Sequence, residues 1–440
     1  MYLKLALRNT KRSMLDYLLY MASMVMLTSI IFLSNCIADT GDMQAGFQTM
    51  ALPLLIVLIM AVFANYINHF VIRQRAKEFA TYMLLGMEKD KLTLVFLCEL
   101  FLTGLLCFVV GVASGTGIFS ICCHTLLLDT AGHSMSRIIL KSILQTFGYF
   151  CCVEILTTFF MKRKIYNLQI VQLMREKQHN QPLGTGRKSF WGWMLMISFF
   201  GYLALLSGIS FLSGRIMSVS ISFISLPVLV CVFSFYRWLY AFIASLRLSQ
   251  ADTLYQGNRL YQMAEMTGGP KTGANVNTIF CICFIFSAAA FVFGTLLLNP
   301  AVSIFEQKEQ QWMGFLQISI CIIFMILYFS ILSLSQIIDL KRENRNIRLL
   351  FHMGKNCSDL KKLICMQVLL KLFMPVLMSF MMLWTAAPFV NHKLNSILPI
   401  HNHLLKAMGS FMVCFFVLYL CYFGMVYVIS TRYIKFITKQ

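Results

Sequence analysis

LTLVFLCELFLTGLLCFVVGVASGTGI, residues 92–118, holds a single acid and no base in a run long enough to cross a bilayer. A hydrocarbon core of about 30 Å takes about 20 apolar residues of helix. The rest of the chain has the same character. Of 440 residues, 59% are hydrophobic and only 12% charged, and mean hydropathy is +0.74. Soluble domains are about half apolar and about a quarter charged, so most of this surface meets lipid. The net charge of +20 then belongs to basic loops beside an anionic membrane face. No soluble stretch is long enough to present nucleic acid with a basic patch. The expected fold class is all-α, a polytopic membrane protein.

Walking outward from residues 92–118, ten runs of suitable length are read, near 16–37, 52–72, 92–118, 138–161, 190–212, 216–244, 278–298, 313–338, 360–390 and 406–431. An amphipathic basic segment with Lys4, Arg8, Lys11 and Arg12 precedes the first. It reads as an interfacial helix over residues 1–15, and the absence of a small-residue cleavage site argues against a signal peptide. With a cytoplasmic N-terminus, roughly 29 Lys and Arg fall on inside segments and about six outside. That bias places both termini in the cytoplasm.

A repeat organises the chain. RQRAKEFATYMLLGM at 73–87 aligns without gaps to KRENRNIRLLFHMGK at 341–355, an offset of about 268 residues. Arg73 falls on Lys341, Lys77 on Arg345, Phe79 on Ile347 and Gly86 on Gly354. The offset also carries spans 2–4 onto spans 8–10, giving two units of the same direction, 52–161 and 313–431. Each copy reads as a long helix leaving the membrane, a turn at the glycine and a return helix. Phe79, Tyr82, Met83, Leu85 and Gly86 form the candidate docking surface of the first copy, and Ile347, Leu350, Phe351, Met353 and Gly354 that of the second. The competing reading is an interfacial loop resting on headgroups. Duplication favours docking, because lipid does not call for the same segment twice.

The domain expectation follows: a first bundle over 16–161, a polar stalk and linker over 162–189, spans 5 and 6 with a cytoplasmic loop over 190–277, and a second bundle over 278–440. The stalk breaks at Pro182 and Gly184.

Few residues suggest chemistry. GTGRKS at 184–189 and GGPKTG at 268–273 lack the spacing and the preceding strand of a phosphate loop. No nucleophile, base and orienting group occur together, so no catalytic residue and no bound cofactor are expected. Most of the fifteen cysteines, such as Cys98, Cys107, Cys231, Cys321 and Cys414, sit in apolar runs as small hydrophobes. Cys281 and Cys283 form a weak C-x-C. His392, His401 and His403 lack Cys or acid companions, so no metal is expected. The intramembrane polar residues are Glu99, its repeat equivalent Gln367, and Lys371 one turn further on. Glu99 reads as a structural acid, with a proton relay as the weaker reading because Gln367 cannot relay. Glu154 is expected to reach the interface beside Lys162 or Arg163, and Arg237 to snorkel inward. Gly111 and Gly115 make a G-x-x-x-G, read as packing within the chain rather than as a dimer contact.

These residues resemble the FtsX-like permeases of bacterial ABC transporters, and within them the ten-helix branch of bacitracin- and peptide-antibiotic-resistance permeases. The resemblance rests on LALRNTKRSMLDYLLYMASMVM at 5–26, on RQRAKEFATYMLLGM followed by FLCELFLTGLLCFVVGVASG at 96–115, and on KIYNLQIVQLMREKQ at 164–178. It implies a permease without catalysis, driven by a separate ABC ATPase that holds ATP and Mg. Two ATPase subunits would push on the two docking loops and so move an antimicrobial peptide or lipid-linked amphipath. A sensor histidine kinase or a second permease are further partners that it implies. The branch usually carries a large extracellular domain between spans 7 and 8. Here only NPAVSIFEQKEQQW, residues 299–312, lies between them. Recognition is then expected either through a second permease that retains the domain or in the membrane helices, where Phe32, Phe119, Phe211, Phe291, Phe293 and Phe389 give the outer half an apolar, aromatic lining. An ion-coupled secondary transporter is the alternative from another class. Such proteins show helices broken near the midplane, for which Pro227, Pro375 and Pro388 are the candidates.

Overall fold

The structure, a computed structural model, describes residues 76–126, 135–166, 188–211, 223–249, 270–300, 307–397 and 403–439, and part of 21–36. The basic N-terminal segment, the span expected at 52–72 and most of the stalk lie outside the described residues. The helices run in the order α1 (Ala76–Leu84), α2 (Lys89–Leu126), α3 (Met135–Tyr166), α4 (Lys188–Phe211), α5 (Ser225–Ser249), α6 (Pro270–Leu297), α7 (Gln307–His352), α8 (Cys357–Ile397) and α9 (His403–Lys439). A shorter apolar helix, Met24–Leu33, precedes them. The described residues contain no strand, as lipid demands of a chain that is not a closed barrel. Eight of the helices, α2 to α9, are long and apolar enough to cross a membrane, and the chain is a multi-pass membrane protein. The first expected span corresponds in part to Met24–Leu33, and the second is not among the described residues.

The chain divides into two compact units, Met1–His179 with Ser303–Leu334, and Asn180–Val302 with Ser335–Gln440. In the first, α2 packs along α3 and against the N-terminal helix. Gly111 faces Thr28, and a Cβ there would overlap the threonine hydroxyl. A Cβ on Gly115 would come within 2.8 Å of the Phe32 ring and 2.9 Å of the Ser29 carbonyl. The G-x-x-x-G is therefore spent on a close approach inside the unit. Phe32, Cys36, Phe119 and Ile138 close the same seam, and Asn35 donates to the Thr146 hydroxyl at 3.0 Å.

In the second unit α4 packs on α5, α5 on α6, α6 on α8 and α8 back on α4, with α9 laid against α6 and α8. Tyr202, Leu206, Val232, Tyr236, Cys281, Met378 and Met382 fill the middle of the four-helix ring. Its polar ties go to α8, which carries Pro375 and Pro388 without interruption. A proline removes one N–H from the helix ladder and crowds the preceding turn. The Tyr236 hydroxyl donates there, at 3.1 Å to the Met374 carbonyl and 3.0 Å to that of Pro375, and Tyr202 donates to Met382 at 3.0 Å. Pro227 sits in the first turn of α5, where a missing N–H costs nothing. None of the three prolines breaks its helix. On α9, Phe411 and Phe415 pack against Phe284 of α6, whereas Val413, Phe416, Val417 and Leu420 are exposed to the lipid solvent.

The Gly115 contact is stiff because backbone forms part of it. Gly115→Val should lower stability by roughly 1–3 kcal/mol, the usual cost of overpacking. Thermal unfolding of the detergent-solubilised protein should show a clear drop in Tm, while Gly117→Val, at a glycine with open space around it, should show little.

Candidate functional site

Both turns singled out in the sequence are built by the same backbone device. After α1, the Leu85 N–H donates to the Thr81 carbonyl at 3.0 Å, Gly86 to Met83 at 3.1 Å and Met87 to Tyr82 at 3.0 Å. After α7, Met353 donates to Leu349 at 3.0 Å, Gly354 to Phe351 at 3.0 Å and Lys355 to Leu350 at 3.2 Å. Residue for residue these are equivalent positions under the offset of about 268. Gly86 has φ 89° and Gly354 φ 88°, a left-handed conformation that costs an L side chain about 1–2 kcal/mol. The pattern is a Schellman cap, which satisfies the last carbonyls of one helix and reverses the chain. The next helix then starts alike in both places, with Leu92 donating to Glu88 and Leu360 to Asn356, each at 3.1 Å.

The caps push apolar side chains outward. Leu84 and Leu85 are 64% and 79% exposed beside Gly86, and Leu349 and Met353 are 51% and 73% exposed beside Gly354. Tyr82, Met83, Leu350 and Phe351 are half-buried, and Ala80 is buried. The Phe79 and Ile347 side chains are outside those described. Polar neighbours surround the tips: Glu78 and Glu88 at the first, and His352, Lys355 and Asn356 at the second. α7 and α8, of 46 and 41 residues, are each roughly 60–70 Å long at 1.5 Å per residue. Both exceed a hydrocarbon core of about 30 Å, so the turn joining them lies beyond it. Exposed apolar tips ringed by polar groups mark an interaction surface. Sequence reading did not select Leu349. Its signal was an apolar residue standing where the first copy has Thr81.

The intramembrane polar residues fall in both units. Glu99 on α2 is buried at 2% exposure and belongs to the first unit, and Thr103 one turn on donates to its carbonyl at 3.1 Å. Gln367 is buried and Lys371 half-buried on α8 in the second unit. Glu154 differs from expectation. Its carboxylate lies against Gly104, in the space a Cβ would fill, and forms no ion pair with the exposed Lys162 or Arg163. The bare glycine lets the helices approach, and the carboxylate turns into that gap. Arg237 stacks on Trp191 and Phe233, with its guanidinium carbon 5.8 and 5.1 Å from the ring centroids, and donates to Asn275 at 3.1 Å. The aromatic lining expected of the outer half is only partly available. Phe32 and Phe119 are consumed in packing, whereas Phe211 and Phe293 are exposed at 70% and 58%. His392 meets the Ser210 hydroxyl at 3.3 Å, and Cys281 and Cys283 are buried free thiols. Among the described residues no three His, Cys, Asp or Glu side chains gather as metal ligands do.

Residues 50–170, which contain α1, the Gly86 turn, α2 and α3, match the family described as FtsX-like permease C-terminal. The chain is also similar to the bacitracin export permease protein BceB of Bacillus subtilis (strain 168), with 23% identity over 258 residues. That match covers 55% of this chain and 40% of the relative, so the chain spans about two fifths of the curated protein it matches.

The cap geometry predicts a specific cost. Gly354→Ala should destabilise the α7–α8 turn by about 1 kcal/mol or more, because alanine must enter the left-handed region. Hydrogen exchange should quicken at Met353, Gly354 and Lys355 without change in the α4–α5 pair.

Proposed function

We propose that this chain, with an FtsX-like permease domain over residues 50–170, is the membrane subunit of an ATP-driven ABC transporter. The observation that carries the reading is the pair of glycine-capped turns, alike in hydrogen bonding and in exposed apolar tips. One lies inside the family match and the other beyond it. In this reading the turns are duplicated docking loops of a ten-helix permease, related as two copies with the same direction. The positive charge bias puts them, and both termini, in the cytoplasm.

A separate ATPase holds ATP and Mg, and the permease converts its dimerisation into tilting of the membrane helices. Burying a leucine or methionine tip in an ATPase groove is worth about 1.5–3 kcal/mol each. Rigid, uninterrupted helices such as α7 and α8 then carry the displacement into the membrane. The same continuity weighs against an ion-coupled transporter, which needs helices unwound near the midplane.

The substrate in this reading is an antimicrobial peptide or lipid-linked amphipath, exported or lifted from the outer leaflet. The bacitracin permease named above supports that class. Recognition takes place on membrane-facing aromatics such as Phe211 and Phe293, or in a second permease, because the connection between Leu297 and Gln307 is too short to hold a domain. A cycle of this kind also offers a membrane histidine kinase a state to read.

Leu85→Asp and Met353→Asp test the docking. Each places a charge in an apolar contact, at a cost of several kcal/mol once desolvated. Both variants should insert normally, and affinity purification should recover at least tenfold less ATPase from the double variant. Full ATPase recovery with both charges present would contradict the reading.

A further inference from the structure

The helix that returns from the second turn carries a cleft that docking does not use. The first three turns of α8 and the C-terminal half of α9, both within the second unit, border an open cleft of about 440 Å³. Ser358, Lys361 and Lys362 line it nearest the start of α8, Met366 and Leu369 continue it along the helix, and Tyr427 lines it from α9. The α8 residues follow helical spacing, so they line one face that falls roughly 16 Å from hydroxyl and ammonium groups to thioether and isobutyl groups. The polar end lies beside the Gly354 turn, at the start of the candidate span Ser358–Ser396, and the apolar end lies deeper along it. Lys362 is exposed and Lys361 half-buried. Among the described residues neither pairs with a carboxylate.

We infer that this cleft is a binding site for one anionic phospholipid of the leaflet on the docking-loop side. The two ammonium groups and the Ser358 hydroxyl hold the phosphate, and an acyl chain lies along Met366 and Leu369. Charge and shape both select such a molecule. A free phosphate would leave the apolar floor empty, and a zwitterionic lipid would bring its own cation to the lysines. Simple snorkelling at a membrane boundary does not account for the pair. On the repeat reading proposed above, on which this inference rests for its comparison, Lys361 and Lys362 correspond to Thr93 and Leu94, and Ser358 to Asp90. The first copy places its two lysines, Lys89 and Lys91, in the first turn after the same cap, with Lys91 paired to Glu88 at 3.2 Å, and has none at these two positions. The second copy carries its pair about one turn deeper, on the cleft, where a bound lipid would steady the root of its docking turn.

The test is native mass spectrometry of the full-length chain from micelles, with phosphatidylglycerol and phosphatidylcholine supplied in equal amounts. The wild type should retain one phosphatidylglycerol in preference to phosphatidylcholine. Lys361→Gln with Lys362→Gln should reduce that preference about tenfold or more. Lys393→Gln with Lys406→Gln, which removes the same charge elsewhere, should leave it intact. Met366→Trp, which fills the cleft and keeps both lysines, should reduce retention as well. Equal retention of the two lipids by the wild type, or an unchanged preference in the lysine double variant, would overturn the assignment. Displacement of phosphatidylglycerol by millimolar inorganic phosphate would make this a phosphate site and overturn it too. The measurement involves no ATPase, so its failure would leave the docking reading standing, and a failure of docking would leave this one.

Discussion

A peptide N–H or C=O left unpaired in hydrocarbon costs several kcal/mol, and that constraint fixes where this chain can place anything other than helix. Reversals have to occur beyond the membrane, and each must satisfy the carbonyls at which a helix stops. The caps at Gly86 and Gly354 do both. Leu85 and Met353, directly before the left-handed glycines, are exposed at the reversal, and Leu84 and Leu349 are exposed in the last turns of their helices. Inside the span, Pro375 takes from the ladder the N–H that would meet the Lys371 carbonyl, and the Tyr236 hydroxyl ties α5 to the carbonyls of Met374 and Pro375 one turn on.

Coupling between a soluble motor and a membrane bundle needs a contact that is strong at its tip and stiff behind it. In the proposed function, apolar tips give the first and unbroken helices the second. α8 joins several features in one rod: the cap at its start, the lysine-lined cleft in its first turns, and the Tyr236 and Tyr202 ties further along. A lipid in the cleft would act on the same rod that docking acts on, from the membrane side.

Much of this was legible in the sequence, for physical reasons. Long apolar runs leave few options in lipid, so the eight spans of α2 to α9 could be read directly. The capped turns were legible because only glycine takes φ near +90° freely, and two glycines at one offset inside similar segments point to one shape. Gly111 and Gly115 could be read as close packing, but Thr28, Ser29 and Phe32 as their neighbours could not. What stayed hidden depends on rotation about helix axes. Composition places Phe32 and Phe211 alike at the outer side, yet one is buried and the other exposed. Lys162 and Arg163 are near Glu154 in sequence, while the structure turns its carboxylate to the gap at Gly104. The cleft between α8 and α9 joins residues some sixty positions apart.

The central claim is that two equivalent turns on one chain each hold a motor subunit. Mass photometry of the purified permease with its ATPase measures this directly. The account predicts two ATPase subunits per permease chain, falling to one or none when either Leu85 or Met353 is changed to aspartate. A stable complex with a single ATPase per permease, indifferent to one of the two substitutions, would contradict it.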